Sequence, residues 1–188
     1  MPSAEVGMDT ELVTRAQRGD KEAYGLLATQ IAARFLAVSR RILRDVDLAE
    51  DATQQALLAI WRDLPQLTDP AHFEAWSYRL LVNACYTEGR RQRRWAPNLR
   101  LLPLDQAGND GDLSSVEHRD QLERGFGRLS VDHRTVVVLH LYLDLPLEQV
   151  AEIVGIPTGT AHSRLHHAMR ALRAALDADS RPPVREVI

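Results

Sequence analysis

Apolar residues recur every three or four positions along most of this chain, which is the pattern of amphipathic α-helices. In residues 22–43 the apolar positions are Tyr24, Leu27, Ile31, Phe35, Val38 and Ile42. Similar patterns follow over residues 47–64 and from residue 70 to beyond residue 91, and a shorter helix is expected over residues 10–18. These segments predict a first unit of four helices, residues 9–95.

Aspartates mark the expected helix starts, because a carboxylate accepts the free amide hydrogens of a first helical turn. Asp20 precedes the second helix, and Asp69 is followed by a proline at the first helical position. The stretch "DLAE", residues 47–50, predicts a capping box in which Asp47 is the cap and Glu50 reaches back to it.

Residues 96–115 break the helical pattern. They contain two prolines, two glycines and three aspartates without sustained periodicity, which predicts an irregular linker. A second unit, residues 116–176, is expected to contain four helices, over residues 116–129, 130–143, 146–154 and 158–176. Residues 177–188 are expected to be a disordered tail. The predicted fold is all-α, with two small helical domains joined by an irregular linker.

Composition narrows the class of protein. The formal net charge of -3 means that the chain as a whole does not attract nucleic acid, so any such role must come from local clusters of charge. The single cysteine, Cys85, excludes an intrachain disulfide and a cysteine-based zinc site. No apolar run approaches the ~18 residues of a membrane span, and the N-terminus lacks the pattern of a signal peptide. We therefore expect a cytoplasmic protein that does not insert into membranes.

The segment that begins "VGIPTGTAHSRLHHAMRAL" at residue 154 is the most distinctive. Residues 154–176 contain three histidines, three arginines and no acidic residue. A short apolar helix, a turn at Gly155 and a long helix capped by Thr158 predict a helix-turn-helix, whose second helix enters the DNA major groove. The apolar face of that helix consists of Ala161, Leu165, Ala168, Met169, Leu172 and Leu176. The opposite face carries Ser163, His166, His167, Arg170 and Arg173, flanked by His162 and Arg164.

Two other interpretations of this helix are a helical hairpin with a solvated basic face and a metal site. His162 and His166 are four residues apart, as in a helical zinc half-site, but no Glu, Asp or Cys follows at ligand spacing. The histidines also have no carboxylate partner at a defined spacing for acid–base catalysis, and there is no glycine-rich phosphate loop. The sequence therefore predicts no metal, no cofactor and no catalytic residue.

A second basic cluster, "GRRQRRW", occupies residues 89–95, downstream of several aromatic residues and Asn83. Arginines contact phosphates, and aromatic side chains stack on unpaired bases. Trp76 is equally consistent with core packing.

The start of the helix over residues 47–64 is instead acidic, which either complements the helix dipole or forms a docking surface for a basic protein partner.

The order of these parts resembles the extracytoplasmic-function (ECF) sigma factors of bacterial RNA polymerase. The resemblance covers residues 9–176 and rests on "DLAEDATQQALLAIW", "FEAWSYRLLVNACYTEGRR" and "LPLEQVAEIVGIPTGTAHSRLHHAMRALR", in this order. It implies a non-enzymatic specificity subunit that binds core RNA polymerase and directs promoter recognition and opening. Most members of the family are held inactive by an anti-sigma factor, so such a partner is expected here.

The resemblance also implies three sets of contact residues. Those facing core polymerase are Asp51, Gln54, Gln55 and Trp61. Those contacting the minus-ten promoter element are Trp76, Arg79, Asn83, Tyr86, Arg90, Arg91, Arg93 and Arg94. Those contacting the minus-thirty-five element are Thr160, His162, Ser163, Arg164, His166, His167 and Arg170. The alternative function is a stand-alone helix-turn-helix regulator that binds duplex DNA without polymerase.

Overall fold

A computed structural model describes residues 10–95 and 113–179, with side chains described for residues 10–92 and 121–176. Every regular element in these two ranges is helical, which confirms the predicted all-α class. The helices form two compact units, the first containing the N-terminal four and the second containing most of the C-terminal four. Within the described ranges, no helix combines the length and the hydropathy needed to cross a membrane.

The first unit consists of α1 (Thr10–Gln17), α2 (Lys21–Leu43), α3 (Val46–Asp63) and α4 (Phe73–Trp95). Two short 3-10 turns, Leu64–Gln66 and Pro70–His72, connect α3 to α4. The helix α3 packs against both α2 and α4. The predicted apolar face of α2 is buried from Leu27 to Ile42, and the ring centroids of Phe35 and Tyr78 lie 5.4 Å apart in the core.

The capping pattern of the first unit differs from the prediction at α3. Asp20 caps α2 as expected, because its Oδ1 accepts hydrogen bonds from two backbone amides of the first turn. The cap of α3 is Asp45, whose Oδ1 accepts a hydrogen bond from the Leu48 amide at 3.0 Å. The prediction of Asp47 as the cap is therefore wrong. Arg44 ends α2 in a left-handed conformation with φ 56°, so the chain turns early enough for α3 to begin before Asp47.

The second unit consists of α5 (Leu113–Arg128), α6 (Val131–Val137), α7 (Leu147–Val154) and α8 (Thr158–Asp179). Helix α8 packs against α5 and α6 around a core of Leu129, Val137, Ala168 and Leu172. A Cβ on Gly125 would lie 3.0 Å from the Ala175 Cβ, so a glycine lets α5 approach α8 closely.

In the second unit the observed helices differ from the predicted ones in three places. The helix expected over residues 130–143 is interrupted, because α6 passes into a π-helical turn, Val138–Tyr142, in which the Leu143 amide bonds to the Val138 carbonyl. Residues 113–115, expected in the linker, begin α5, and residues 177–179, expected in the tail, end α8. Helix ends are the least certain part of any pattern-based assignment. The remainder of the linker and of the tail lies outside the described residues.

Candidate nucleic-acid and partner interfaces

One side of α4 is a solvent-exposed face without acidic residues. Arg79, Asn83, Thr87 and Arg90, here called the α4 stripe, are all exposed. Their spacing of three or four residues places them on one helix face. The opposite face is buried, for example at Leu81. The structure thus brings three of the predicted minus-ten residues together. Thr87 was not among the predicted minus-ten residues. Its spacing of four from Asn83 is the feature of the sequence that places it on the same helix face.

The two predicted aromatic contacts are less exposed than the α4 stripe. Trp76 is half-buried, and its ring packs on the buried ring of Phe73 with a centroid distance of 6.0 Å. It nevertheless lies one turn before Arg79, on the same side of the helix. Tyr86 is also half-buried. The side chains of Arg93 and Arg94, both within α4, lie outside the part of the structure that is described.

Arg91 pairs with an acid of its own helix, unlike the other predicted arginines whose side chains the structure describes. Its Nη1 lies 3.3 Å from Oε2 of Glu88, which is 1% exposed. The other Glu88 oxygen, Oε1, accepts a hydrogen bond of 2.6 Å from Nε2 of Gln55 on α3. The carboxylate of Glu88, which immediately precedes the arginine cluster, is therefore buried and does not repel a phosphate at the surface.

The exposed side of α3 combines acidic, amide and apolar groups. Asp51, Gln54, Leu58 and Trp61, here called the α3 stripe, recur at the spacing of one helix face and are all exposed. Leu58 is 61% exposed, although leucine is an apolar residue. Aromatic residues such as tryptophan are enriched at protein–protein interfaces. Gln55, predicted with this group, instead directs its amide toward Glu88.

Trp61 is held in place by a residue of α2. The ring centroids of Trp61 and Tyr24 lie 4.7 Å apart, and the Tyr24 hydroxyl donates a hydrogen bond to the Leu57 carbonyl oxygen. Partial burial of the phenol raises the pKa of Tyr24. The indole therefore presents a fixed, partly exposed face to solvent.

The turn between α7 and α8 has the geometry of a helix-turn-helix. Gly155 adopts φ 74°, and the Ile156 amide bonds back to the Ala151 carbonyl at 3.0 Å, which closes the end of α7. The Pro157 carbonyl accepts a hydrogen bond of 3.1 Å from the Ala161 amide and so opens α8. Thr158 is the first residue of the helix, and the prediction that it is the cap is therefore wrong.

The polar face of α8 is exposed as predicted from its periodicity. The exposed residues of the predicted contact set are His162, Ser163, His166, His167 and Arg170, whereas Thr160 and Arg164 are half-buried. The Ser163 hydroxyl donates to the Thr160 carbonyl at 3.1 Å, which leaves its oxygen as an acceptor. Met169, expected in the apolar face, is 41% exposed, because the face that packs on the core is centred on Ala168 and Leu172.

Helix α6 adds two groups beside this face that the sequence did not indicate. Asp132 Oδ1 lies 4.0 Å from Arg164 Nη1, so an acid stands next to a helix whose exposed polar face is basic. The ring of His133 lies 6.5 Å from that of His167, which in turn lies 5.9 Å from that of His166. In the described residues no group of three histidine, cysteine or acidic side chains has an arrangement that could hold a metal ion.

Comparison with known proteins identifies the family. Residues 27–95 match Sigma-70 region 2, and residues 119–172 match Sigma-70, region 4. The chain is 30% identical over 190 residues to the RNA polymerase sigma-H factor of Pseudomonas aeruginosa, covering 95% of this chain and 96% of the relative. It is 29% identical over 177 residues to the ECF RNA polymerase sigma-E factor of Haemophilus influenzae, covering 88% and 93%. The chain belongs to the ECF sigma factors.

Solved structures agree with this sigma factor in fold. The structure of CnrH in complex with the cytosolic domain of CnrY superposes with a TM-score of 0.67 at 22% identity, covering 92% of this chain and 99% of CnrH. The sigma factor RpoE of Bartonella quintana, in complex with the anti-sigma factor NepR, gives a TM-score of 0.66 at 22% identity, covering 83% and 98%. The region 2 match falls on α2 to α4 and the region 4 match on α5 to α8.

Proposed function

We propose that this ECF sigma factor binds its partners through three separate surfaces. The α3 stripe binds core RNA polymerase, the α4 stripe with Arg91 contacts the minus-ten element, and the polar face of α8 reads the minus-thirty-five element. The observation that carries the proposal is the exposure of each surface on a separate helix face, with the opposite face of that helix in a core. The corresponding domains are the two helical units, α1 to α4 and α5 to α8.

The α3 stripe suits a protein partner better than nucleic acid. Asp51 would repel a phosphate backbone, whereas exposed Leu58 and Trp61 supply apolar area that a partner protein can bury. Aromatic anchors surrounded by polar groups are characteristic of protein interfaces. A basic surface on the polymerase would complement the acidic side chain of Asp51.

The α4 stripe suits an unpaired DNA strand. Arg79 and Arg90 stand at its two ends and can contact separate phosphates of one strand, and Asn83 between them offers an amide that can both donate to and accept from a base edge. Trp76, at the same side of the helix, offers part of its ring for stacking on an unpaired base. The arginines at the two ends of the α4 stripe and the Asn83 amide between them support binding of a melted promoter strand.

Helix α8 suits the major groove of duplex DNA. In a helix-turn-helix the N-terminal residues of the second helix meet base edges, and here these include His162, Ser163 and His166. Arg170 lies farther along the helix, where it can contact the phosphate backbone of the DNA.

The assignment to the ECF sigma factors also supports proposals on how the protein is regulated and where in the cell it acts. We propose that the protein acts in the cytoplasm as a non-catalytic subunit, and that an anti-sigma factor holds it inactive. The likeness in fold to CnrH and RpoE, each solved in a complex with a second protein, supports control of this kind.

The decisive experiment is transcription from genomic DNA with purified bacterial core polymerase, followed by sequencing of the transcript starts. A sigma factor gives new starts that share two upstream elements, and it binds free duplex weakly. Specific, tight duplex binding without core polymerase, together with no new transcript starts, would establish the alternative of a stand-alone regulator.

A further inference from the structure

Glu88 is a buried carboxylate that belongs to none of the three surfaces. It is 1% exposed and lies on the inner side of α4, three residues before the exposed Arg91. Burying a carboxylate is unfavourable unless partners compensate for the lost water. The partners of Glu88 therefore indicate why an acid is retained at this position.

Each oxygen of Glu88 has a different partner. Oε1 accepts the hydrogen bond of 2.6 Å from Gln55 Nε2, and Oε2 lies 3.3 Å from Arg91 Nη1. Gln55 belongs to α3 and is the neighbour of Gln54 in the α3 stripe. A single buried carboxylate thus connects a residue beside the polymerase-facing stripe to an arginine on the promoter-facing side of α4.

A second polar contact fastens the same end of α4. Nε2 of Gln92 lies 3.3 Å from Oδ2 of Asp45, the residue that caps α3. The N-terminal half of α4 is instead packed through apolar side chains such as Phe73 and Leu81. Both of these polar contacts join α3 to the end of α4 that carries the predicted DNA-binding arginines.

We propose that Glu88 is a positioning residue for promoter opening. Its carboxylate holds the Arg91 guanidinium for contact with the DNA backbone, and Gln55 fixes the carboxylate in turn. This inference rests on the proposed function, in which Arg91 contacts the promoter. An arginine held by one nitrogen still offers its other N–H groups to a phosphate, and it loses less side-chain freedom when it binds than an unrestrained arginine does.

The test compares Glu88→Gln with Arg91→Ala and with the double variant. A glutamine keeps the shape and can still accept from Gln55 through its oxygen, but it removes the charge that holds Arg91. We expect Glu88→Gln to slow promoter opening about tenfold, as for the loss of one charge-assisted hydrogen bond. Promoter opening is measured by the permanganate reactivity of promoter thymines. We expect the affinity for core polymerase and the melting temperature of Glu88→Gln to be unchanged. The double variant should lose no more than Arg91→Ala alone, because both changes remove the same interaction.

Glu74→Gln is the matched control, since it makes the same change on the same helix in an exposed pair with Arg34. We expect it to leave opening unaffected. A fall in melting temperature and core affinity with Glu88→Gln, in proportion to the loss of opening, would show a merely structural role and overturn the inference, as would additive losses in the double variant. If Arg91→Ala slows opening and Glu88→Gln does not, the inference is wrong while the proposed function stands. If Arg91→Ala has no effect, the assignment of Arg91 to the promoter fails, and the inference fails with it.

Discussion

The indole of Trp61 on α3 packs against the phenol of Tyr24 on α2, with 4.7 Å between ring centroids and an interplanar angle of 57°. The contact orders the C-terminal end of the α3 stripe before any partner arrives. Since an ordered side chain loses less entropy when it is buried by a partner, such a residue is a good anchor for a protein interface.

The first prediction concerns Leu58, which lies one turn before Trp61 on the same face. Leu58→Asp should weaken binding to core polymerase by at least about tenfold, because the interface would bury an unpaired carboxylate. Competition for labelled core polymerase measures the affinity. Leu26→Asp, at another exposed leucine on α2, is the control and should bind normally. Normal core binding by Leu58→Asp would remove the α3 stripe from the interface.

The second prediction separates promoter opening from polymerase binding. Arg79→Ala combined with Arg90→Ala removes both charged ends of the α4 stripe, so the holoenzyme should open promoters poorly while core affinity is unchanged. Binding of the holoenzyme to a single-stranded minus-ten oligonucleotide should show a salt dependence whose slope is smaller by about one to two, because two phosphates are no longer neutralised by an arginine. Arg62→Ala, on α3 and paired with Asp63, is the control. An unchanged slope would contradict the phosphate contacts.

The third prediction places upstream specificity on α8. Ser163→Ala and His166→Ala should each change the preferred sequence of the minus-thirty-five element, because each removes a group that can hydrogen-bond a base edge. Transcription from a library randomised in that element measures the preference. Met169→Ala changes an exposed residue of α8 outside the predicted contact set and should leave the preference as it is. If neither polar variant alters the preference, the assignment of base contacts to these residues is wrong.

The fourth prediction concerns the effect of pH on stability. Burial raises the pKa of the Cys85 thiol from 9.0 to about 12. The folded protein therefore holds this proton more tightly than the unfolded chain does, and the stabilisation is complete below pH 9 and lost as pH rises toward 12. The free energy of unfolding should fall more steeply over this window in the wild type than in Cys85→Ala, as measured by urea denaturation. Equal slopes for the two proteins would contradict the prediction.

The sequence predicted the helices well because their periodicity is enforced by burial. The apolar positions of α2 and the polar face of α8 lie where the pattern placed them, since each helix has one face in a core. The apolar face of α3 was less clear. Leu58 is chemically indistinguishable from a core leucine, and its exposure follows only from how α3 packs between α2 and α4.

Features that depend on tertiary contacts could not be predicted. The cap of α3 is Asp45 and not Asp47 because Arg44 turns the chain earlier than the pattern suggested. The approach of Asp132 to Arg164 joins two different helices, and the π-helical turn after α6 corresponds to no hydrophobic pattern in the sequence. The pairing of Gln55 with Glu88, residues that are 33 positions apart, is hidden in the sequence for the same reason.

The burial of Cys85 has a practical consequence. A protein whose single thiol is enclosed and protonated at neutral pH is already a suitable background for site-directed labelling. A cysteine introduced at an exposed position such as Thr29 or Met169 would react with a maleimide dye while Cys85 stays unmodified. Donor and acceptor dyes on the two units could then report, in real time, how the protein rearranges as it joins the polymerase.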